Sequence, residues 1–491
     1  MYRRPIIARI VVTVSFLFIA ASVQAVTLVV PSQYDSVGAA LDKAGAGDVV
    51  EIAPGFYPES DLIVPAGVTI TGTGTKPQDV IINGGGKGRI LLLESLAEKV
   101  TIRNITFMNG HAQGPTSYDQ AGGALLISNS SARIENCVFS ANTADSHGGA
   151  IRCTNSSPEI ISCQFYANAA PVGGGGALDL SYNSSPLVTD CHFLSNRAEW
   201  GGAMSCRAGS SPRVENGELT GNSAEGLRGF GGAVFADYFS HPDLLNTTVA
   251  DNQARFGGGL ASFQAGSINL DYCTVVYNKA RILEGGILVV NSSPLITGSI
   301  VAFNQGRGMV VSGQSIPQIT CTDIYGNSMG DWAFLLEGMV SMGGNLSVDP
   351  QFCSVQPGSE SRFHLKSTSP LAQAGSPCGT LGANPVSCTG DKTLVPVASA
   401  AIGNVMAAPN PFNPQTTVSF DLTQAQDVRV SIYGVDGRLI HVLGEGMFSV
   451  GAHDLVWNGH DRSGRQVSSG IYFVMVKGRQ DTQRLKVTLL K

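Results

Sequence analysis

Residues 148–168 read GGAIRCTNSSPEIISCQFYAN, and both ends of this stretch recur along the chain. Two glycines followed by a small or apolar residue return at 122–124, 148–150, 175–177, 201–203, 231–233, 258–260 and 285–287. An asparagine follows each pair after 19 to 21 residues, at Asn142, Asn168, Asn196, Asn222, Asn252, Asn278 and Asn304, and a degenerate eighth copy ends at Asn327. The copies begin 26 to 30 residues apart, and self-similarity at such a period indicates a repeat architecture.

Each copy also carries an apolar side chain three residues before its asparagine. These side chains are Phe139, Phe165, Phe193, Leu219, Val249, Val275, Val301 and Ile324. Within a copy, three short apolar runs alternate with Asn, Ser, Gly and Pro, a pattern typical of short strands joined by turns. Such a copy predicts one coil of a parallel β-helix, in which each strand pairs with its equivalent about 4.8 Å away. The asparagines should then form an inward ladder of hydrogen-bonded amides.

The combination of GGA(I/L/V) with FSAN, FYAN and FLSN resembles the repeat of chlamydial polymorphic outer-membrane proteins and of bacterial β-helix proteins with the pectin-lyase fold. The resemblance covers roughly residues 120–330 and implies a right-handed helix. Upstream, DSVGAALDKA is a short amphipathic segment that could cap the first coil, as terminal repeats must. Downstream, FHLKSTSPLAQAG belongs to a predicted closing segment. We therefore expect the β-helix to occupy residues 26–388.

The composition of the sequence changes after Cys388. Residues 389–408 form a predicted linker rich in Thr, Val and Ala, and residues 409–491 contain short alternating strands that predict a small antiparallel β-sandwich. The whole fold is thus predicted to be all-β: a right-handed parallel β-helix with three-stranded coils, followed by this sandwich.

Three motifs of this C-terminal module carry a second resemblance: PNPFNP at 409–414, VSIYGVDGR at 430–438 and WNGHDRSGR at 457–465. They resemble the type A sorting domain of the type IX secretion system, and the flagellar hook-capping Ig-like domain has a similar pattern. The resemblance implies recognition by a secretion apparatus and delivery to the cell surface. An accessory sandwich without a sorting role is the alternative.

The first 25 residues predict a secretory signal peptide. Arg3, Arg4 and Arg9 precede an apolar run from Ile10 to Ala21, and Val23-Gln24-Ala25 resembles a cleavage site. The expected location is therefore extracellular or on the outer cell surface, with no transmembrane helix in the mature chain. The net charge is −6 and the pI is about 5.8, without a basic stripe, so nucleic acid is not an expected partner.

The ten cysteines all follow the signal peptide. Four of them, Cys137, Cys163, Cys191 and Cys273, precede their asparagines by five residues and should share one column. Because their β-carbons would point in parallel, we expect free buried thiols there rather than disulfides. Three others, Cys353, Cys378 and Cys388, fall in the closing segment, where one disulfide is expected.

Candidate functional residues lie on the strand that follows each GGA. Its outward positions, aligned between copies, are Leu126, Arg152, Asp179, Ser205 and Phe235, and two residues further along Ser128, Thr154, Ser181, Arg207 and Asp237. The carboxylates in these columns, Asp179 and Asp237, should lie roughly 12 Å apart at the backbone, whereas an inverting glycosidase needs about 6.5–9.5 Å. Arg152 is predicted beneath Asp179 and Arg207 beneath Asp237, an arrangement that ion pairs alone could explain.

Two functions remain open at the level of the sequence. One is a structural, adhesive or glycan-binding surface protein, whose C-terminal domain directs secretion or attachment and whose partners are a polysaccharide or cell-surface ligand and the secretion apparatus. The alternative is a polysaccharide lyase or glycoside hydrolase acting on an acidic polysaccharide. Its catalytic candidates would be Arg152, Asp179, Arg207 and Asp237, or the insertions TSYDQ at 116–120 and EGLRGFG at 225–231. No metal or cofactor is expected, except Ca²⁺ if the protein is a lyase.

Overall fold

The computed structural model describes residues 25–282, 285–332, 334–372, 378–388, 402–410, 412–422, 425–434, 439–449, 451–478 and 482–490. The predicted signal peptide lies outside this part of the chain apart from Ala25. The chain divides into two compact units between Cys388 and Thr389. The first is a parallel β-helix and the second a small antiparallel sandwich, as the sequence predicts for the fold class.

Three long parallel sheets run along the β-helix. Sheet 1 contains Thr27–Val30, Val49–Ile52, Thr69–Gly72, Val100–Arg103, Ala132–Glu135, Glu159–Ile161, Leu187–Thr189, Arg213–Glu215, Asp243–Leu245, Asn269–Asp271, Leu295–Thr297 and Gln318–Thr320. Sheet 2 contains Gly55–Tyr57, Val80–Asn83, Thr106–Met108, Val138–Ser140, Gln164–Tyr166, His192–Leu194, Glu218–Thr220, Thr248–Ala250, Thr274–Val276, Ile300–Ala302 and Asp323–Tyr325. Sheet 3 contains Leu62–Ile63, Leu91–Glu94, Leu125–Ser128, Ile151–Thr154, Leu178–Ser181, Met204–Cys206, Val234–Ala236, Leu260–Phe263, Ile287–Val290 and Met309–Ser312.

A fourth, shorter sheet lies between sheets 2 and 3 in each of seven coils. Sheet 4 contains His111–Ala112, Thr143–Ala144, Ala169–Gly174, Arg197–Trp200, Ser223–Ala224, Gln253–Ala254 and Lys279–Ala280. Most of these strands have two residues, too few to show an alternating pattern in the sequence. The loops that leave sheet 4 lead into the GG(A) turn before sheet 3, so their length varies without disturbing the stacked coils.

The register differs from the predicted one in the last two copies of the repeat. Val234 pairs with Leu260 and Leu260 with Ile287, which places Gly259 and Gly286 at the position that alanine occupies in earlier coils. The glycine pairs assigned to 258–260 and 285–287 are therefore shifted by one residue. The run Gly257-Gly258-Gly259 offers two equivalent alignments, and only the strand pairing selects one of them.

The asparagines form a continuous ladder inside the turn between sheets 2 and 4. The Asn168 side-chain amide donates to Asn196 Oδ1 (2.9 Å) and to the carbonyl oxygen of Phe139 (3.0 Å). The same geometry repeats from Asn142 to Asn327, and the side chains are buried. Buried polar groups need partners, and each amide here obtains its partners from the coils on both sides.

A stack of aromatic rings runs beside this ladder. Phe107, Phe139, Phe165 and Phe193 occupy one column, with ring centroids 5.3, 4.9 and 4.7 Å apart in sequence order. All four side chains are fully buried. Later coils replace phenylalanine by smaller aliphatic residues at the same position, so the column continues as Leu219 and Val249.

The cysteines of the coils before the last one are free thiols, as expected for the column of Cys137, Cys163, Cys191 and Cys273. Cys137, Cys153, Cys163, Cys191, Cys206 and Cys273 are all buried. The Cys163 thiol donates weakly to the carbonyl oxygens of Ile134 and Ile161 (3.6 and 3.3 Å), and burial raises its pKa well above the ordinary value. Such buried thiols behave as small apolar side chains rather than as nucleophiles.

Both ends of the stack are covered. A short helix, Val37–Leu41, is capped by Ser36 and buries Val37, Ala40 and Leu41, in the segment predicted as the cap. Pro77–Asp79, Phe334–Met339 and Pro370–Ala372 are 3₁₀ turns. Among the described residues, no helix has the length and apolar character needed to cross a membrane.

The closing segment, residues 346–372 and 378–388, folds back over the outer face of sheet 2. Its apolar side chains pack on Ala250, Val276, Ile300 and Ala302, and they are Phe363, Leu365, Leu371 and Leu381. The Gly382 amide donates to the carbonyl oxygen of Gly298 (2.7 Å). Two disulfides, Cys321–Cys378 and Cys353–Cys388, tie this segment together. The expectation of one disulfide among Cys353, Cys378 and Cys388 is therefore incomplete, because Cys321 of the last coil also takes part.

The C-terminal unit consists of two antiparallel sheets. One contains Ile402–Ala408, Thr416–Leu422 and Gly451–Trp457, and the other Leu439–Phe448, Gln426–Gly434, Gly470–Lys477 and Thr482–Leu489. Trp457, Phe412 and Phe420 lie in its core. The strand Ile402–Ala408 corrects the predicted linker 389–408, because the unit begins before the PNPFNP motif. Small residues in this strand hide its alternation in the sequence.

Candidate functional site

The four candidate side chains lie on adjacent coils of sheet 3. Strand pairing aligns Arg152 with Asp179, and Asp179 with Ser205, on neighbouring strands. Arg207 directly follows Cys206, the last residue of the strand Met204–Cys206. Its amide donates to the carbonyl oxygen of Leu180 (2.9 Å). Asp237 lies one coil further on, where its amide donates to the carbonyl oxygen of Cys206 (3.0 Å).

Asp179 is the centre of this group and is fully buried. Its Oδ2 lies 3.5 Å from Arg152 Nη1, and its Oδ1 lies 4.0 Å from Arg207 Nη2. Both arginines therefore face one carboxylate, and each keeps part of its side chain exposed, 14% for Arg152 and 25% for Arg207. A buried carboxylate between two guanidinium groups holds them in place while leaving their outer edges free to meet a ligand.

The predicted pairing of Arg207 with Asp237 is wrong. Within the described part of the chain, no ion pair within 4.0 Å joins these residues, because Arg207 turns toward Asp179 instead. Asp237 accepts a hydrogen bond from the Tyr238 amide (2.8 Å). Partial burial raises the pKa of Asp237, and the more distant charge of Arg207 only partly opposes this effect. Asp179 and Asp237 thus have different surroundings and do not form an equivalent carboxylate pair.

Half of the buried side-chain polar atoms that lack a hydrogen-bond partner in the described chain belong to this one cluster. They are His147 Nε2, Arg152 Nη1, Asp179 Oδ1 and Oδ2, Ser205 Oγ and Arg207 Nε, six of twelve. Native proteins leave few such atoms, and a concentration of them requires an explanation. A catalytic role, stored strain and a bound water or ion are the explanations that native structures provide.

His147 is the member of this cluster that sequence reasoning missed, whereas Ser205 lies in the column that the sequence identified, next to Asp179. His147 lies in the loop before Gly148, and its ring interacts with the Asp179 carboxylate. Its Nδ1 contacts Ser146 Oγ, and burial lowers the pKa of His147 to about 4, with Asp179 acting in the opposite direction. His147 is therefore neutral at neutral pH. The sequence SHGG at 146–149 was the available signal, but nothing in it reveals the neighbouring carboxylate.

Trp200 and Gly174 complete the wall of the cluster. The Arg207 guanidinium lies 5.6 Å from the Trp200 ring centroid, and the Trp200 ring is 6.3 Å from that of His147. A β-carbon added at Gly174 would lie 2.5 Å from Ser205 Oγ and 3.2 Å from Asp179 Oδ1. Glycine at this position therefore lets the backbone approach the polar atoms closely.

Exposed aromatic side chains flank the same coils at the turn between sheets 3 and 1. Tyr182 is 61% exposed and Tyr238 53% exposed, and Phe239 follows Tyr238. Backbone hydrogen bonds from Asn183 to Ala208 and from Gly209 to Tyr238 place Tyr182 and Tyr238 at equivalent positions two coils apart. Tyrosine exposed beside arginine is typical of binding surfaces.

The two insertions that the sequence offers as alternative catalytic sites are held in different ways. The TSYDQ insertion is fastened by Arg89, whose guanidinium donates to the carbonyl oxygens of Tyr118 and Ala121 (2.9 and 2.8 Å). The EGLRGFG insertion contributes Phe230 to an apolar cluster with Phe256 and Phe235. In the described part of the chain, no group of three or more His, Cys, Asp or Glu side chains is arranged to hold a metal ion.

Each of the two units matches the model of a known family. The family model described as right handed beta helix region matches residues 66–294 and 182–346, which together span more than half of the chain. The chain therefore belongs to this family. A second model, the FlgD Ig-like domain, matches residues 407–482, so the C-terminal unit is an Ig-like domain of that type.

Sequence and structure comparisons give more distant relations. A search of the curated proteins found no match. Among solved structures, the PL6 family alginate lyase AlyGC is similar at 15% identity, with a TM-score of 0.36, over 74% of this chain and 59% of the lyase. The chain thus spans less than two thirds of that enzyme. Pectate lyase Pel9A is similar at 12% identity, with a TM-score of 0.40, over 72% of this chain and 91% of the lyase.

Proposed function

We propose that this protein is an exported, surface-associated β-helix protein that binds a glycan on the outer face of sheet 3. The observation that carries the proposal is the pair of partly exposed guanidinium groups, Arg152 and Arg207, that the buried Asp179 carboxylate holds on this face. Sugars present many hydroxyl oxygens that accept hydrogen bonds, so they can bind the exposed edges of these guanidinium groups. The exposed rings of Tyr182 and Tyr238 offer flat apolar surfaces for pyranose rings on the same coils.

Export and surface delivery form part of the proposal. The N-terminal sequence has the pattern of a signal peptide, and the two disulfides of the closing segment are of the kind that persist in oxidising compartments. The repeat resembles that of polymorphic outer-membrane proteins. The Ig-like domain resembles the type A sorting domain, so we assign it the role of directing secretion or attachment through a secretion apparatus.

Glycan binding is tested with the mature protein on a panel of neutral and acidic polysaccharides. We expect the double variant Tyr182→Ala, Tyr238→Ala to bind the best ligand roughly tenfold more weakly, because each ring loses its stacking contact. Ile316→Ala is the matched control: this exposed residue lies in a turn between the same two sheets, on a distant coil. Equal binding by the double variant and the control would contradict the proposed site.

The sorting role is tested by fractionating cells that produce either the full chain or a chain ending at Cys388. We expect the full chain at the cell surface and the shortened chain in the periplasm. The shortened chain retains the whole β-helix with both disulfides, so its thermal unfolding serves as the control for folding. Equal surface delivery of the two chains would remove the sorting role from the C-terminal domain.

A lyase remains the second candidate function, because His147 is a neutral base beside two arginines. In β-elimination, the buried His147 Nε2 would have to turn outward to take the proton next to the uronate carboxyl group, and Arg152 and Arg207 would stabilise the resulting negative charge. The bond to the leaving sugar oxygen then breaks, a double bond forms, and the proton held by His147 passes to the leaving oxygen. Unsaturated products that disappear in His147→Ala would establish this activity, whereas binding without such products would leave glycan binding alone.

A further inference from the structure

A buried carboxylate joins the last coil to the closing segment. Asp323 begins the last strand of sheet 2, Asp323–Tyr325, and its side chain is fully buried. Its Oδ1 accepts a hydrogen bond from the Val348 amide of the closing segment (2.9 Å). Asp323 also forms a parallel bridge with Leu346, so the closing segment extends sheet 2 by one short strand at this point.

The earlier coils carry uncharged side chains at the position of Asp323. Strand pairing aligns Asp323 with Ile300, Ile300 with Thr274, and Thr274 with Thr248. The Thr274 hydroxyl also holds the closing segment, because its Oγ1 accepts a hydrogen bond from the Ala383 amide (2.9 Å). A neutral hydroxyl therefore suffices to dock the closing segment on that coil, whereas the last coil uses a group that can ionise.

The surroundings of Asp323 oppose its ionisation. Within the described chain, its Oδ2 is buried without a hydrogen-bond partner. The charged groups of the described chain that act on it are Asp331, in the loop after the last coil, and Asp349, in the closing segment, and both are negative. Burial and these two like charges raise the pKa of Asp323 to about 7, against the effect of the single hydrogen bond from the Val348 amide.

Docking of the closing segment is therefore coupled to a proton. When the segment is released, Asp323 meets water and its pKa returns toward about 3.9. The docked state thus binds the proton more tightly than the released state, and docking is strongest while the carboxyl group is protonated. This contribution is lost as the pH rises through about 7, where docking would keep a buried charge without a counterion.

We propose that Asp323 is a pH-sensitive latch, which holds residues 346–348 on the last coil in mildly acidic surroundings and releases them in alkaline ones. The release is local, because the Cys321–Cys378 disulfide keeps the rest of the closing segment attached to the last coil. Release also opens the edge of sheet 2, where the Ile324 amide loses the Leu346 carbonyl oxygen (3.2 Å). The latch lies on sheet 2 and acts independently of the proposed glycan-binding face of sheet 3.

The test is hydrogen exchange of the mature protein at pH 5 and pH 8, expressed as protection relative to an unstructured chain so that the intrinsic pH dependence cancels. We expect the protection of the Leu346 and Val348 amides to fall at least tenfold at pH 8, because one proton lost through a pKa of about 7 allows roughly a hundredfold. In Asp323→Asn, which keeps an acceptor for Val348 but cannot ionise, the change should stay within twofold. Asp323→Thr introduces the residue of the equivalent position at Thr274 and should behave in the same way.

Two further variants separate the latch from a general effect of pH. Asp349→Asn removes one like charge from an exposed position, so the transition should remain but move to lower pH. This variant retains Asp323 and tests the latch even if neither substitution of Asp323 folds. Asp271→Asn removes an exposed carboxylate from sheet 1 and should leave the pH profile unchanged.

Three results would overturn the inference. The first is wild-type protection of Leu346 and Val348 that differs by less than twofold between pH 5 and pH 8. The second is a tenfold fall that persists in Asp323→Asn or Asp323→Thr. The third is an identical midpoint for the wild type, Asp349→Asn and Asp271→Asn.

Discussion

Replacing Asp179 by asparagine is expected to lower the free energy of unfolding by about 3 kcal/mol. The carboxylate is fully buried between Arg152 and Arg207, so its loss leaves two partly buried guanidinium groups facing each other without a counterion. Asparagine has nearly the same volume, so the change removes charge without creating a cavity. Chemical denaturation followed by circular dichroism measures the difference.

Asp237→Asn is the matched control for this variant. Asp237 lies on the same face, but within the described chain it has no arginine within ion-pair distance, and we expect a change within about 0.5 kcal/mol. Glycan binding should also weaken in Asp179→Asn, since the two arginines lose the group that holds them. Equal destabilisation by the two substitutions would show that Asp179 does not organise the cluster.

Replacing Asn196 by alanine is expected to have a larger effect and to lower the free energy of unfolding by about 4 kcal/mol. The Asn196 amide donates to Asn222 Oδ1 and to the carbonyl oxygen of Phe165 (both 2.9 Å), and its Oδ1 accepts from the backbone and side-chain amides of Asn168 (3.0 and 2.9 Å). Truncation removes all four of these buried hydrogen bonds, and only the Asn168 side-chain amide, through Phe139, and Asn222 Oδ1, through the Asn196 backbone amide, keep another partner. Because the ladder is continuous, the damage falls on both neighbouring coils.

Gln253→Ala provides the comparison, because this amide is exposed just outside the ladder and adjacent to Asn252. We expect a change within about 0.5 kcal/mol. Thermal or denaturant unfolding of both variants measures the contrast. If the free energy of unfolding of Asn196→Ala fell by less than about 1 kcal/mol, water would have to replace the amide in the ladder.

The fold could be predicted from the sequence because a parallel β-helix converts repetition directly into strand pairing. Once Asn168 and Asn196 are aligned as copies, their strands are neighbours, and the alignment of Arg152 with Asp179 follows from the same rule. The prediction was wrong where the repeat is ambiguous, at Gly257–Gly259. It missed sheet 4, whose two-residue strands are too short for a periodic signal.

The candidate site could be predicted only in part, for a different reason. Strand register places Asp179 and Arg152, but the loops before each GG(A) turn differ in length and carry no repeat. The approach of His147 and Trp200 to the cluster depends on those loops. The turn of Arg207 toward Asp179 depends on its side-chain conformation, which register does not determine. The Cys321–Cys378 pair likewise joins the last coil to a segment without a repeat.

The closing segment has a consequence for the order in which the molecule assembles. Its contacts are spread over successive coils: Ala383 and Asn384 bond to Thr274 and Thr248, and the Val348 amide donates to Asp323. The surface that the closing segment packs on therefore does not exist until those coils have stacked. Covalent closure between Cys321 and Cys378 should therefore be a late event, and the oxidised pair would mark molecules whose maturation is complete.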